Sequence, residues 1–165
     1  MIIVLDNVPL NLITNPNRKK TETIACQRWL ERLISHRISV CLPEIVYYET
    51  RRQLMFNKMK TGESGGLIRL EEFKNEKAYY YQPITTEIII KATDLWAWAR
   101  KTNQSTAHEK ALDGDVILAA TAIVLAQQEE EYVLIATDNI KDIERYTPAK
   151  KWQEILIKTN VKSRE

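Results

Sequence analysis

The sequence predicts an α/β fold, with a largely parallel central sheet and helices on both of its faces. Three observations predict it. The runs "MIIVLD", "ISVCL" and "YVLIAT" are short, apolar and rich in β-branched residues, as strands buried on both faces are. Longer segments with helical periodicity lie between them. Strands and helices alternate from end to end, and parallel strands need such crossover helices.

The elements follow in order. "MIIVLD" is a buried strand that ends at Asp6. "TETIACQRWLERLISH" places Ile24, Trp29, Leu30, Leu33 and Ile34 on one helical face, with Arg28, Glu31 and Arg32 opposite. "ISVCL" is the second strand. Pro43 opens the helix "PEIVYYETRRQLMFNKM", because the first helical position tolerates proline. "KTGESGG" contains three of the four glycines and reads as a loop. "LIRLEEFKNEKA" is a shorter helix. "YYYQPI" is extended, since the residue before a proline avoids the helical region. "TTEIIIKATDLWAWARKT" is amphipathic, with Thr85 or Thr86 as its cap and Glu87 in its first turn. After the polar loop "NQSTAHEKAL" comes an alanine-rich helix led by Asp113 and Asp115. "YVLIAT" is the last clear strand, "DNIKDIERY" a turn and short helix, and "KWQEILIK" a final strand or helix.

With 165 residues, 44% of them hydrophobic, the chain suits one domain over residues 1–165 with a substantial core. Cys26 and Cys41 lie in apolar segments without C-x-x-C spacing, so they read as core thiols of a cytoplasmic protein. No apolar run reaches the roughly 18 residues of a membrane helix, and the start lacks the basic, longer apolar pattern of a signal peptide. A net charge of +2 predicts no polyanion partner by itself. Local basic clusters, Arg18-Lys19-Lys20, Arg51-Arg52, Lys58 with Lys60, and Lys150-Lys151, are each consistent with a solvated face.

Acids gather where a parallel sheet would bring them together. Strand ends and the starts of the following helices share one edge, which is where such folds bind ligands. Asp6, Asp115 and the turn holding Asp138, Asn139 and Asp142 belong to that edge. Glu49 lies four residues after Ile45 and three after Val46, on the same helical face as these apolar residues, and so can join them. Singly, each acid has an ordinary reading: Asp6 as the cap of a turn, Asp113 or Asp115 as a helix cap, Glu49 paired with Arg52, Asp138 and Asn139 as turn formers. Together, three or four carboxylates in one small volume repel each other and raise one another's pKa. A hard divalent cation, Mg2+ or Mn2+, offsets that repulsion, and one or two direct carboxylates suffice to hold it. Two aspartates one residue apart, Asp113 and Asp115, can then divide the labour, one capping the helix while the other faces the ion.

Other chemistries are poorly supplied. His36 and His108 have no spaced partners for a triad or a zinc site. "KTGESGG" lacks the Lys-Ser/Thr ending of a phosphate-binding loop. Carboxylates, a cation and basic flanks suit phosphodiester hydrolysis.

On these residues the chain resembles the PIN-domain ribonucleases, and most closely the VapC-type toxins of toxin–antitoxin pairs. The resemblance runs from "MIIVLD" to "DNIKDI". An apolar strand ending in acid is matched at Asp6, an acid in the helix after the second strand at Glu49, and an acid leading an Ala-rich helix at Asp115. A T-x-N-x-x-D run after the fourth strand is matched at Thr137, Asn139 and Asp142. Departures are Asn7, where Ser or Thr is usual, and Ile143, where Phe is usual; the fourth acidic position stays open among Asp138, Asn139 and Asp142. The resemblance implies a PIN-like three-layer sandwich and Mg2+-dependent endoribonuclease activity. It also implies a homodimer and a small antitoxin partner whose tail fills the acidic groove. Asp6 and Asp115 are expected nearest the metal, with Glu49 and Asp142 completing the groove directly or through water. Arg51 and Arg52, less than a turn beyond Glu49, are expected to rim it and hold RNA phosphates. A haloacid dehalogenase-type phosphatase would need acids at Val8 and Ala119, and a response receiver would need a lysine where "TDN" stands. A catalytically inactive binding module is the remaining alternative, and it gives no reason to bear the repulsion of Asp6, Glu49 and Asp115.

Overall fold

The structure, a computed structural model, describes residues 1–17, 19–104 and 113–157. Five strands form one parallel sheet: β1 (Ile2–Leu5), β2 (Ser39–Pro43), β3 (Tyr80–Gln82), β4 (Val133–Ala136) and β5 (Ala149–Lys150). Their spatial order is β3-β2-β1-β4-β5. The chain therefore builds outward from β1 in one direction, then returns to add β4 on its other side. That reversal creates a crevice beyond the carboxyl ends of β1 and β4, the place where open α/β sheets bind ligands. The register pairs Leu5 with Ala136, which brings the next residues, Asp6 and Thr137, face to face.

Helices cover the sheet: α1 (Asn7–Ile13), α2 (Thr21–Ser35), α3 (Glu44–Thr61), α4 (Gly65–Asn75), α5 (Thr86–Lys101), α6 (Gly114–Glu129) and α7 (Ile140–Ile143). The strands β1 and β4 are buried along their whole length, as their unbroken apolar sequences require. From Val116 to Leu125, α6 buries every residue but one, so its Ala-rich composition is that of a helix enclosed on most sides. Among the described residues no helix is long and apolar enough to cross a membrane.

Several boundaries differ from the sequence expectation. The segment "NVPLNLI" is helical, with Pro9 in the first turn, where a missing N–H breaks no helical bond. Pro43 is the last residue of β2 and precedes α3 instead of opening it. The glycine-bearing stretch is mostly helix: α3 runs to Thr61 and α4 starts at Gly65. The turn between them rests on Gly62, whose φ of 79° is left-handed and whose N–H donates to the Lys58 carbonyl at 2.8 Å. The segment after β4 adds the two-residue strand β5, and "KWQEILIK" then forms a 3-10 turn at Trp152–Glu154. Trp152 packs on Trp29 of α2 with ring centroids 5.8 Å apart, which pins this part of the chain to the core. Thr85 caps α5 by accepting from the Ile88 N–H. The expected loop "NQSTAHEKAL", with His108, falls mostly outside the described residues, as does Arg18.

Candidate active site

Asp6 leaves the end of β1 and caps α1. Its Oδ1 accepts from the Asn7 backbone N–H at 2.6 Å, and its Oδ2 accepts from the Thr137 hydroxyl at 2.5 Å. The residue is only 7% exposed. Burial pushes its pKa up, against the lowering pull of the Thr137 and Asn7 hydrogen bonds, and Glu49 and Asp138 push further in the raising direction.

The paired aspartates at the start of α6 do take separate roles. Asp113 is the cap, accepting from the Val116 N–H at 3.2 Å. Asp115 instead accepts from the Asn139 side-chain amide at 2.8 Å. Its pKa is pushed up to about 6 by burial first, then by Asp6, Asp113, Asp142 and Glu49. Four carboxylates therefore act on Asp115 from four different elements or turns.

Glu49 points inward from α3, as its spacing from Ile45 and Val46 predicts. Its Oε2 accepts from the Asn7 side-chain amide at 2.7 Å, and Asn7 Oδ1 accepts from the buried Thr50 hydroxyl at 2.9 Å. Arg52 also stands near Glu49, but at 3.9 Å and largely exposed, so the pair contributes little. On the other side of Glu49 lies the backbone of Gly114. A Cβ placed there would sit 2.5 Å from Glu49 Oε1 and 3.1 Å from its Cδ.

The third segment follows β4. Asn139 binds Asp115 by its side chain, while its backbone N–H donates to the Thr137 hydroxyl at 2.9 Å. Asp142 is half-buried on α7 and held by Arg145 at 2.8 Å, which offsets its charge. Asp138 is exposed. Of the three residues open for the fourth position, Asn139 makes the direct contact and Asp142 acts on Asp115 through its charge. Arg51 lies two residues beyond Glu49, about 200° round the helix. It pairs with Glu71 of α4 at 3.2 Å, so Arg52 and not Arg51 stands beside the carboxylates. A cavity of about 980 Å3 between α2 and Trp152–Ile157 contains none of these acids.

Sequence reasoning missed Asn7 as a link, Thr50, Gly114 and Arg145. The signal for Asn7 was its place directly after the strand-end acid. The signal for Gly114 was a glycine set between two aspartates.

The donor set is all oxygen and carries excess negative charge, which suits a hard divalent cation. Asn139 engages only the Oδ2 of Asp115, and the residue is half-buried. Among the described residues no three His, Cys, Asp or Glu side chains form a complete cage. A Mg2+ ion held by one or two carboxylates and its own waters needs none.

No family model matches the sequence, and no curated protein matches it. Solved structures do match in three dimensions. VapBC2 from Rickettsia felis, bound to a DNA fragment from its promoter, superposes with a TM-score of 0.68 at 16% identity, over 92% of this chain and 99% of that one. FitAcB from Neisseria gonorrhoeae gives 0.64 at 17% identity, over 93% and 99%. VapC20 of Mycobacterium tuberculosis, described as a sarcin–ricin loop cleaving toxin, gives 0.54 at 12% identity, over 88% and 96%. The five parallel strands, their order and the flanking helices thus form the fold of the VapC-type PIN-domain toxins.

Proposed function

We propose that this chain is a Mg2+- or Mn2+-dependent endoribonuclease and the toxin of a type II toxin–antitoxin pair. The observation that carries the reading is the convergence on Asp115. Asp6, Glu49 and Asp142 come to it from separate elements, and their charges add to burial in pushing its pKa up to about 6, a repulsion that serves no structural purpose.

Asp6 and Asp115 are the residues that would hold the cation. When bound, such an ion supplies charge for a phosphate oxygen and acidity for a water. The protein's own part is orientation. Thr137 and the Asn7 N–H fix Asp6, and Asn139 fixes Asp115. Glu49, whose Oε2 is held by Asn7, would be placed to accept a hydrogen bond from a water at the edge of the groove. Arg52 meets a phosphate of the RNA backbone, giving affinity with little sequence information. The VapBC and FitAcB structures support an antitoxin partner, and a homodimer in the cytoplasm belongs to the same reading.

The test is cleavage of a structured RNA with and without Mg2+ or Mn2+. The parent should cleave only with the ion, and Asp115→Asn should lose cleavage by orders of magnitude while melting as a folded protein. A parent that does not cleave, or an Asp115→Asn variant that cleaves like the parent, overturns the nuclease. For the toxin, expression should arrest growth, and co-expression of a small protein encoded by an adjacent gene should relieve the arrest. Arrest without such relief would leave a free-standing nuclease.

A further inference from the structure

We propose that Asn7 and Gly114 are a matched pair of positioning residues that clamp the carboxylate of Glu49 from two sides. This rests on the reading of Asp6, Glu49 and Asp115 as a divalent-cation site.

One side of the clamp is an amide. Asn7 Nδ2 donates to Glu49 Oε2 at 2.7 Å. An asparagine amide has two faces, and only its nitrogen can donate. The orientation is set by Thr50, whose buried hydroxyl donates to Asn7 Oδ1 at 2.9 Å and so directs Nδ2 at Glu49. The same asparagine donates its backbone N–H to Asp6. One residue therefore ties two carboxylates from different elements to a common frame.

The other side is an absence of side chain. Any Cβ at Gly114 would lie 2.5 Å from Glu49 Oε1 and 3.3 Å from Oε2, so that its three nearest atoms all belong to that carboxylate. The backbone there is not left-handed, so the glycine is not required by its φ. Its role is clearance. An alanine would leave the fold intact and displace the far end of a flexible side chain. Asn7 holds the Glu49 carboxylate against the first turn of α6, and Gly114 makes room for it there.

The consequence is a dissociation of stability from function. Gly114→Ala puts a better helix former into the first turn of α6, so its Tm should equal or exceed the parent's. Its Mn2+ affinity, measured by calorimetry, should nevertheless fall about tenfold, the lower end of the effect of losing a group that orients a ligand. The fall should not add to that of Glu49→Gln, because both act through one carboxylate. Shortening the side chain should compensate: Glu49→Asp should cost affinity in the parent but recover part of it beside Gly114→Ala. Asn7→Ala keeps the backbone bond to Asp6 and tests the clamp from the other side, with the same non-additivity expected. Should Gly114→Ala fail to fold, Asn7→Ala carries the comparison. A parent that binds Mn2+ while these variants bind it equally well, or lose affinity additively with Glu49→Gln, overturns the clamp alone. A parent that binds no Mn2+ overturns the cation site and the clamp with it.

Discussion

The Asn139 side chain donates to Asp115 Oδ2 at 2.8 Å while its backbone N–H is held by Thr137, the residue whose hydroxyl binds Asp6. The two central carboxylates are thereby joined through three hydrogen bonds of one turn. Removing the side chain with Asn139→Ala should leave Asp6 in place and free Asp115 alone. The expected outcome is a loss of Mg2+ affinity of about tenfold with a stability cost of about 1 kcal/mol. Calorimetric titration with Mg2+ beside a urea melt separates the two, and undiminished affinity would remove Asn139 from the site.

The two aspartates of α6 should behave in opposite ways. Asp113→Ala deletes the cap on Val116 and should cost about 1 kcal/mol. Asp115→Asn removes a charge repelled by Asp6, Asp113, Asp142 and Glu49, and should leave the protein as stable as the parent or more so in the absence of metal. Chemical denaturation of both variants in chelator checks this. An Asp115→Asn variant less stable than Asp113→Ala would mean the carboxylate is structural.

The pH dependence has a definite sign. Asp115 binds its proton more tightly in the folded state, at about 6 against 3.8 in the open chain, and Asp6 shifts the same way. Their protonated forms therefore favour folding, a contribution fully present below the unfolded pKa and lost as pH rises through the folded one. The Tm difference between Asp115→Asn and the parent should grow from about pH 4 to about pH 7 in chelator. Mg2+ should raise the parent's Tm more at about pH 7 than at about pH 5, where it competes with protons. Equal Mg2+ shifts at the two pH values would contradict the assignment.

Cys26 and Cys41 are fully buried, unpaired thiols whose pKa values burial pushes up to about 12. A thiolate is the reactive form, so both should resist thiol reagents in native buffer and react only on unfolding. Fast labelling of either cysteine in the folded protein would show that its segment opens.

Arg52 and Arg51 should separate in RNA binding measured in the Asp115→Asn background. Arg52→Gln should weaken binding to all RNAs alike and reduce the salt slope by about one. Arg51→Gln, which loses contacts with Glu71 and Tyr47 away from the carboxylates, should change neither. An effect of Arg51 equal to that of Arg52 would place the RNA path across α4.

The strands and most helices were legible because burial on both faces and helical periodicity write themselves into sequence. The meeting of Asp6 and Asp115 was legible because strand ends and helix starts share an edge whatever the strand order, and that of Glu49 because it shares a helical face with Ile45 and Val46. Helix α1 was not: Pro9 argues against a helix unless it falls in the first turn, and only the Asp6 cap fixes where that turn begins. The strand β5 has two residues and no periodicity. Gly114 was hidden for a different reason, since its importance lies in a residue sixty-five positions away that only packing brings to it. The difference between Arg51 and Arg52 likewise needed the position of Glu71 on α4.

The hydrogen bond from Thr137 to Asp6 spans 131 residues of chain. The central strand β1 pairs with β4, which follows it only after β2 and β3. Loop closure of that length costs entropy that no local contact repays, so this pairing belongs to the late, slow part of folding. During synthesis, a chain that has not yet passed Ala136 has Asp6 without Thr137 and Asp115 without Asn139. On the proposed reading as a toxin, such topology leaves the site unassembled until β4 and the turn after it have been made, so that the assembled domain is the form an inhibitor must meet.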